Sequence, residues 1–306
     1  MPRQTKRTGW QKDVLEFWRG GQTMPEALLR RRIAVVKRNL AARYGENRAI
    51  KQQATNYWSR IQEPSRSVSN DPQVTKAISG LLGLHKKLAK QKLFAPRVLA
   101  EAGGFLPGNF GATVVPPFDY AFTIPFPING NTALAGSADK NTGQLNASAI
   151  TDSQAPSRGG VYTEMGIYLR PPRPIFLSVS ATPAISIEWW TNSLNPASTV
   201  ASTGSALLGI WAQQGTPIGP SKSATAPSLT DWDEELTQQV RFDFGSNPHE
   251  PLSTNLAVDP SFSCLLLFAT DNEVLGVGWP GSLAGSMTSV TVPSFTFDSI
   301  QVATPG

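Results

Sequence analysis

Twenty of the 25 prolines fall after residue 100, while 21 of the 27 Lys and Arg fall before it. Proline removes a backbone donor and clashes inside a helix. The last two thirds, also dense in Ser, Thr, Gly and Asn, must therefore be short strands and loops. The first hundred residues, poor in proline, remain free to be helical. They hold 21 Lys and Arg against 6 Asp and Glu, a net of +15, whereas residues 101–306 hold 6 against 16, a net of −10. The chain is two electrostatic objects joined together. A basic block of this size reads as a polyanion binder, most simply of nucleic acid. An acidic membrane surface is the competing partner, and a solvated basic domain with no partner is the plain alternative.

With 40% hydrophobic residues in 306, the chain can bury a substantial core. No run of 18 apolar residues occurs, so no membrane span is expected. The start, MPRQTKRTGW, has no apolar stretch behind it and does not read as a secretory signal. One cysteine, Cys264, excludes an intramolecular disulfide framework and a multi-cysteine zinc site. Within SFSCLLLFA it reads as an inert core thiol. His85 and His249 are the only histidines, and neither has a visible triad partner. No G-x-S-x-G is present, so neither an enzyme nor a cofactor is expected. Asn146-Ala147-Ser148 matches a glycosylation acceptor, without a secretion signal to support it.

The basic part reads as helices. Residues 12–19 form a short amphipathic piece that ends at Gly20-Gly21. Thr23 can cap the next helix, with Pro25 in its first turn and Glu26 reaching back. Leu29, Ile33, Val36, Leu40 and Tyr44 then recur at spacings of 3 or 4 as one apolar stripe, and Gly45 is a plausible stop. Further stripes run through Ile50, Ala54, Tyr57, Trp58 and Ile61, and through Val74, Ile78, Leu81, Leu82 and Leu88. Arg30, Arg31, Arg32, Lys37 and Arg38, with Lys86, Lys87, Lys90 and Lys92, are the expected phosphate contacts. No zinc-finger, P-loop or RNA-recognition signature accompanies them, so charge neutralisation without base reading is expected. Trp10, Trp18, Tyr57 and Trp58 read as packing anchors, with base stacking as the alternative.

Residues 94–112 are a Gly- and Pro-containing connector between the arm (1–93) and the domain that follows (113–306). In that domain Phe118, Tyr120, Phe122, Ile124 and Phe126 alternate with Asp119, Ala121, Thr123 and Pro125, a half-buried strand. Further strands are expected at 143–151, at 161–169 bounded by Gly159-Gly160, at 175–180, at 185–189, at 206–213, at 240–244, at 262–270, and from Met287 to Val302 with a bend at Pro293. Long loops are expected near 127–142, 191–204 and 214–230. The fold class is mainly β: an eight-stranded jelly-roll β-sandwich preceded by a basic α-helical N-terminal region.

A basic N-terminal arm, a Gly/Pro connector and an eight-stranded β domain of about 200 residues resemble the single jelly-roll capsid proteins of small icosahedral RNA or single-stranded DNA viruses. The resemblance covers the whole chain as architecture. It implies a shell domain that self-assembles, an inner arm facing a packaged genome, and location in the virion. A shell of about 180 copies would then carry roughly 2,700 inner positive charges, enough to offset much of a genome of a few thousand nucleotides. It also implies a candidate interfacial Ca²⁺ at the acidic cluster Asp231, Asp233, Glu234 and Glu235, for which a short helix capped by Thr230 is the plainer account. Some such shells cleave themselves near the C-terminus at an Asn. The last Asn is Asn272 and the chain ends QVATPG, so no such cut is expected. Trp189-Trp190 and Trp211 are large apolar investments. Adjacent Trp residues on a strand point to opposite faces, so one of the pair belongs to the core and the other could meet a neighbouring subunit. The rival classes are a phage spike, fibre or cement protein with a lectin-like β domain, and a cellular nucleic-acid-binding protein with a β-sandwich partner domain.

Overall fold

The computed structural model describes residues 23–45, 110–152, 157–193, 199–214, 221–225, 230–236, 240–247, 252–277 and 284–303. The helical pieces expected at 12–19, 50–61 and 70–92 lie outside them, as do Trp10, Trp18, Tyr57 and Trp58. The described part is one helix, α1 (Glu26–Gly45), followed by strands. These are β1 (Phe110–Val114), β2 (Tyr120–Asn129), β3 (Thr132–Asp139), β4 (Gln144–Asp152) and β5 (Ser157–Leu169). Then come β6 (Ile175–Ala181), β7 (Ile185–Ser193), β8 (Thr199–Gln214), β9 (Ser221–Thr225) and β10 (Thr230–Leu236). The last are β11 (Val240–Asn247), β12 (Leu252–Val258), β13 (Phe262–Val277), β14 (Ala284–Val292) and β15 (Phe297–Ala303).

Two of the three hydrogen-bonded sheets are halves of one bent sheet. One half runs β1-β15-β6-β12 and the other β11-β7-β14-β4-β3. β6 continues into β7 across Pro183 and β14 into β15 across Pro293, and β11 is followed in chain order by β12. Proline cannot donate to a ladder, so the sheet bends where these residues align. Facing it is the sheet β10-β8-β13-β5-β2, with β9 also beside β8. Count β4, β5, β6–β7, β8, β9/β10, β11–β12, β13 and β14–β15 as strands one to eight. The bent sheet then has order 1-8-3-6 and the facing sheet order 2-7-4-5, which is a jelly roll. All pairings are antiparallel.

The core lies between the two layers. Met165, Ile167 and Leu169 of β5, Leu208 and Ile210 of β8, and Cys264, Leu266 and Phe268 of β13 meet Leu177 and Val179 of β6, Trp189 of β7 and Val290 and Val292 of β14. At the bend, Phe295 stacks on Phe268 at 4.4 Å and meets Phe297 edge-on at 4.9 Å. The Phe295 backbone N–H donates to Gly143 O at 2.9 Å, and Gly143 has φ +73°. This aromatic plug fills the space that the bend opens. β12 and β6 alternate buried with more exposed residues, the signature of one wet face. β5 is buried throughout and β13 from Cys264 to Gly276, so the facing sheet is covered on its outer side as well.

Several expectations change. Strand β5 passes straight through Gly159-Gly160 rather than stopping there. A Cβ on Gly160 would strike the Asn272 carbonyl and the Phe126 ring, so glycine serves close packing and not a turn. The segments 127–142 and 214–230 carry β3 and β9, and the described residues of 191–204 are strand, at the end of β7 and the start of β8. β12 was not expected, and β1 begins inside the expected connector. The acidic run Thr230–Leu236 is strand β10, not a capped helix, paired with β8 along its whole length.

Gly166 lies opposite Tyr120 in the register, and a Cβ there would drive into the Leu266 carbonyl. Gly166→Ala is therefore expected to lower unfolding free energy by at least about 2 kcal/mol. Ala257→Ser, on the exposed face of β12, should be near neutral. Urea midpoints of the two variants check this.

Candidate nucleic-acid interface and its anchor

Helix α1 lies on the outer face of the facing sheet. Val36 and Leu40 are buried there, with Leu28, Leu29, Ile33 and Val35 half-buried beside them. They pack on Ile124 and Phe126 of β2, Tyr168 of β5, Leu207 and Trp211 of β8, and Leu265, Leu267 and Ala269 of β13. These are the residues of alternate phase to the inner core. The period-two pattern of β13 thus supplies both layers.

A charged group sits within this apolar seat. Arg32 is fully buried. Its Nε donates to Glu164 Oε1 at 2.9 Å, and its Nη2 to Oε2 at 2.6 Å. The same carboxylate accepts from the Tyr120 hydroxyl at 2.9 Å and from the Tyr162 hydroxyl at 2.5 Å. The guanidinium also lies 5.6 Å from the centre of the Trp211 ring. The absent side chain at Gly166 leaves room for Tyr120 Oη, which would otherwise lie 2.9 Å from a Cβ. Burial, the largest single influence, disfavours the charged form of Arg32, but the Glu164 charge and hydrogen bond together with Tyr162 and Tyr120 outweigh it, and the group is held more firmly protonated than usual. Burial, then the same carboxylate, pushes Tyr120 and Tyr162 well above the ordinary phenol value.

The five expected arm contacts of α1 divide three ways. Arg30, Lys37 and Arg38 are exposed. Among the described residues Arg30 is held by the solvent-exposed partner Glu26 one turn back, at 2.5 Å. Arg31 is half-buried beside Gln213, whose amide, turned so that its oxygen faces the guanidinium, accepts from Arg31 Nε at 3.1 Å. Arg32, expected at the surface as a phosphate contact, is turned into the protein and committed to Glu164. A polyanion cannot reach it while α1 is seated. Lys86, Lys87, Lys90 and Lys92 lie outside the described residues.

Sequence reasoning missed Glu164 and Tyr162, and placed Tyr120 only as a strand residue. The available signal was position 32 itself. Leu29, Arg32, Val36 and Leu40 recur at spacings of 3 and 4, so Arg32 lies on the apolar stripe. A buried arginine demands a carboxylate partner. A second buried pair, Arg158 with Glu273, joins β5 to β13. Asp231 and Asp233 of β10 stand opposite Ser205 and Thr203, and their side chains lie outside the described set. Among the described residues no group of three metal-ligating side chains occurs. Trp189 is buried in the core, while its neighbour Trp190 is half-buried on the opposite face. Cys264 is buried, and burial pushes its thiol well above the ordinary range.

Removing one member of the anchor leaves an uncompensated buried charge, so Arg32→Ala should cost about 3–5 kcal/mol, read from denaturant unfolding. The two tyrosines have folded pKa values raised above the unfolded value near 10. Their contribution is therefore full below that value and lost as pH rises past it. Stability should fall above about pH 10, and absorbance titration should show tyrosines that ionise only on unfolding.

No family model matches the chain, and no curated protein matches it. Among solved structures, the chain is similar to the Clostridium thermocellum N-terminal endo-1,4-β-D-xylanase 10B modules complexed with xylohexaose. The identity is 8%, over 58% of this chain and 26% of that one, with a TM-score of 0.17. It is also similar to a carbohydrate-binding module in complex with β-1,4-galactotriose, at 10% identity over 55% of this chain and 88% of the other, TM-score 0.12. The family 11 carbohydrate-binding module from Clostridium thermocellum matches at 9% identity over 65% of this chain and 92% of that one, TM-score 0.11. Scores this low carry no argument about ligand.

Proposed function

We propose that the chain is a structural coat protein. Its jelly roll assembles with further copies into a closed icosahedral shell, and its basic N-terminal region holds RNA or single-stranded DNA inside the virion. The observation that carries this reading is the cationic ridge of α1, seated on one face of an acidic β domain. Arg30, Lys37 and Arg38 point away from the sheet. Among the described residues Arg30 is engaged by an exposed ion pair, worth little in water and readily exchanged for a phosphate. Residues 101–306 carry a net −10 and would repel the same polyanion, so loading is confined to the arm side. Backbone charge neutralisation needs no base-reading motif, in keeping with the lack of one in the sequence.

Purified full-length protein is expected to form closed particles that contain nuclease-protected nucleic acid. Each phosphate contact on a single strand contributes about 0.7 to the salt slope. Arg30→Gln, Lys37→Gln and Arg38→Gln together should reduce the slope of binding to polyuridylate by about 2. A protein that stays monomeric or trimeric, carries no nucleic acid and binds oligosaccharides would instead support the spike or fibre class.

A further inference from the structure

The apolar residues of α1 do not define a single seat. Leu28, Leu29, Ile33, Val35, Val36 and Leu40 spread over an arc of about 160° at 100° per residue. Hydrophobic burial is non-directional, so a helix with so wide an apolar arc can roll on the sheet without losing much contact. The roll matters, because Lys37 and Arg30 lie about 40–60° beyond one edge of that arc and Arg38 about 60° beyond the other, so a roll in either direction carries one of them toward the sheet. What has direction in this interface is the pair between Arg32 and Glu164. The guanidinium fork meets both carboxylate oxygens, both oxygens also receive tyrosine hydroxyls, and all four side chains are buried. A planar, bidentate contact of this kind fixes orientation as well as position. A lysine would satisfy the charge but not the angle.

We infer that Arg32 is a positioning residue: its pairing with Glu164, held by Tyr120 and Tyr162, sets the roll of α1 and so aims Arg30, Lys37 and Arg38 away from the shell domain as one polyanion-facing ridge. This rests on the nucleic-acid reading for its purpose, but the roll itself is testable without nucleic acid.

The chain offers a built-in control. Its single native thiol, Cys264, is buried in the core and does not compete for labelling. Cysteines are placed one at a time at Ala34 and Ala41, which are exposed, and at Val36, which is buried. Maleimide labelling rates of the full chain are then compared. In the parent, Ala34→Cys and Ala41→Cys should label at least about tenfold faster than Val36→Cys, in keeping with a protected docking face. In Arg32→Met/Glu164→Gln that ratio should collapse toward one, and in Arg32→Lys it should fall part of the way. Silence of Cys264 in each variant certifies an intact sandwich. Should it label in the double variant, the comparison is read in Arg32→Lys. An unchanged ratio with the pair removed would overturn the inference. Polyuridylate should slow labelling of Ala34→Cys in the parent. If the ratio behaves as stated but polyuridylate gives no protection, the positioning role stands and the nucleic-acid reading fails.

Discussion

The architecture depends on β13 being buried on both faces. From Cys264 to Leu267 the side chains are apolar in both phases, so one sheet cannot satisfy the strand. The even set needs a second sheet, and the odd set needs another layer outside. The bent sheet supplies the first, closing over Cys264, Leu266 and Phe268. Helix α1 supplies the second, over Leu265, Leu267 and Ala269. Helix α1 is therefore tied to the β domain by the same strand that organises the sandwich core.

The outer layer carries a cost that the inner one does not. Burying Arg32 and Glu164 requires stripping two charges of water, and their attraction with two tyrosine hydrogen bonds offsets that. An apolar pair could hold the helix equally well. What the ion pair adds is direction, and direction separates a cationic ridge facing outward from one partly turned into the sheet.

Much of the fold was legible wherever one face was wet. The alternation from Phe118 to Phe126 gave β2, and Thr23, Pro25 and the stripe through Leu40 gave α1 within a residue or two. The bend at Pro293 was visible because Val290 and Val292 share one phase while Phe295 and Phe297 take the other. Edge strands were harder. β3 buries none of its residues fully, so its small residues show no period and read as loop. β12 alternates cleanly in burial, but Thr254 stands at a buried position and hides the apolar pattern. Asp231, Asp233, Glu234 and Glu235 imitated a helix first turn, whereas cross-strand pairing with β8 decided the strand. The site was half legible. Residue type alone placed Arg32 with its neighbours at the surface, although its spacing from Leu29, Val36 and Leu40 sets it on the apolar stripe, and its partner Glu164, 132 residues away, lies beyond any local pattern.

The central claim is that the cationic helix and the polar outer face of the bent sheet lie on opposite sides of an assembled wall. A cryo-EM reconstruction of purified particles tests it most directly. The account predicts α1 on the lumenal surface, at smaller radius than β6 and β15, with density for cargo against it. A map with α1 on the exterior of the particle, or a homogeneous preparation that never closes into particles, would contradict it.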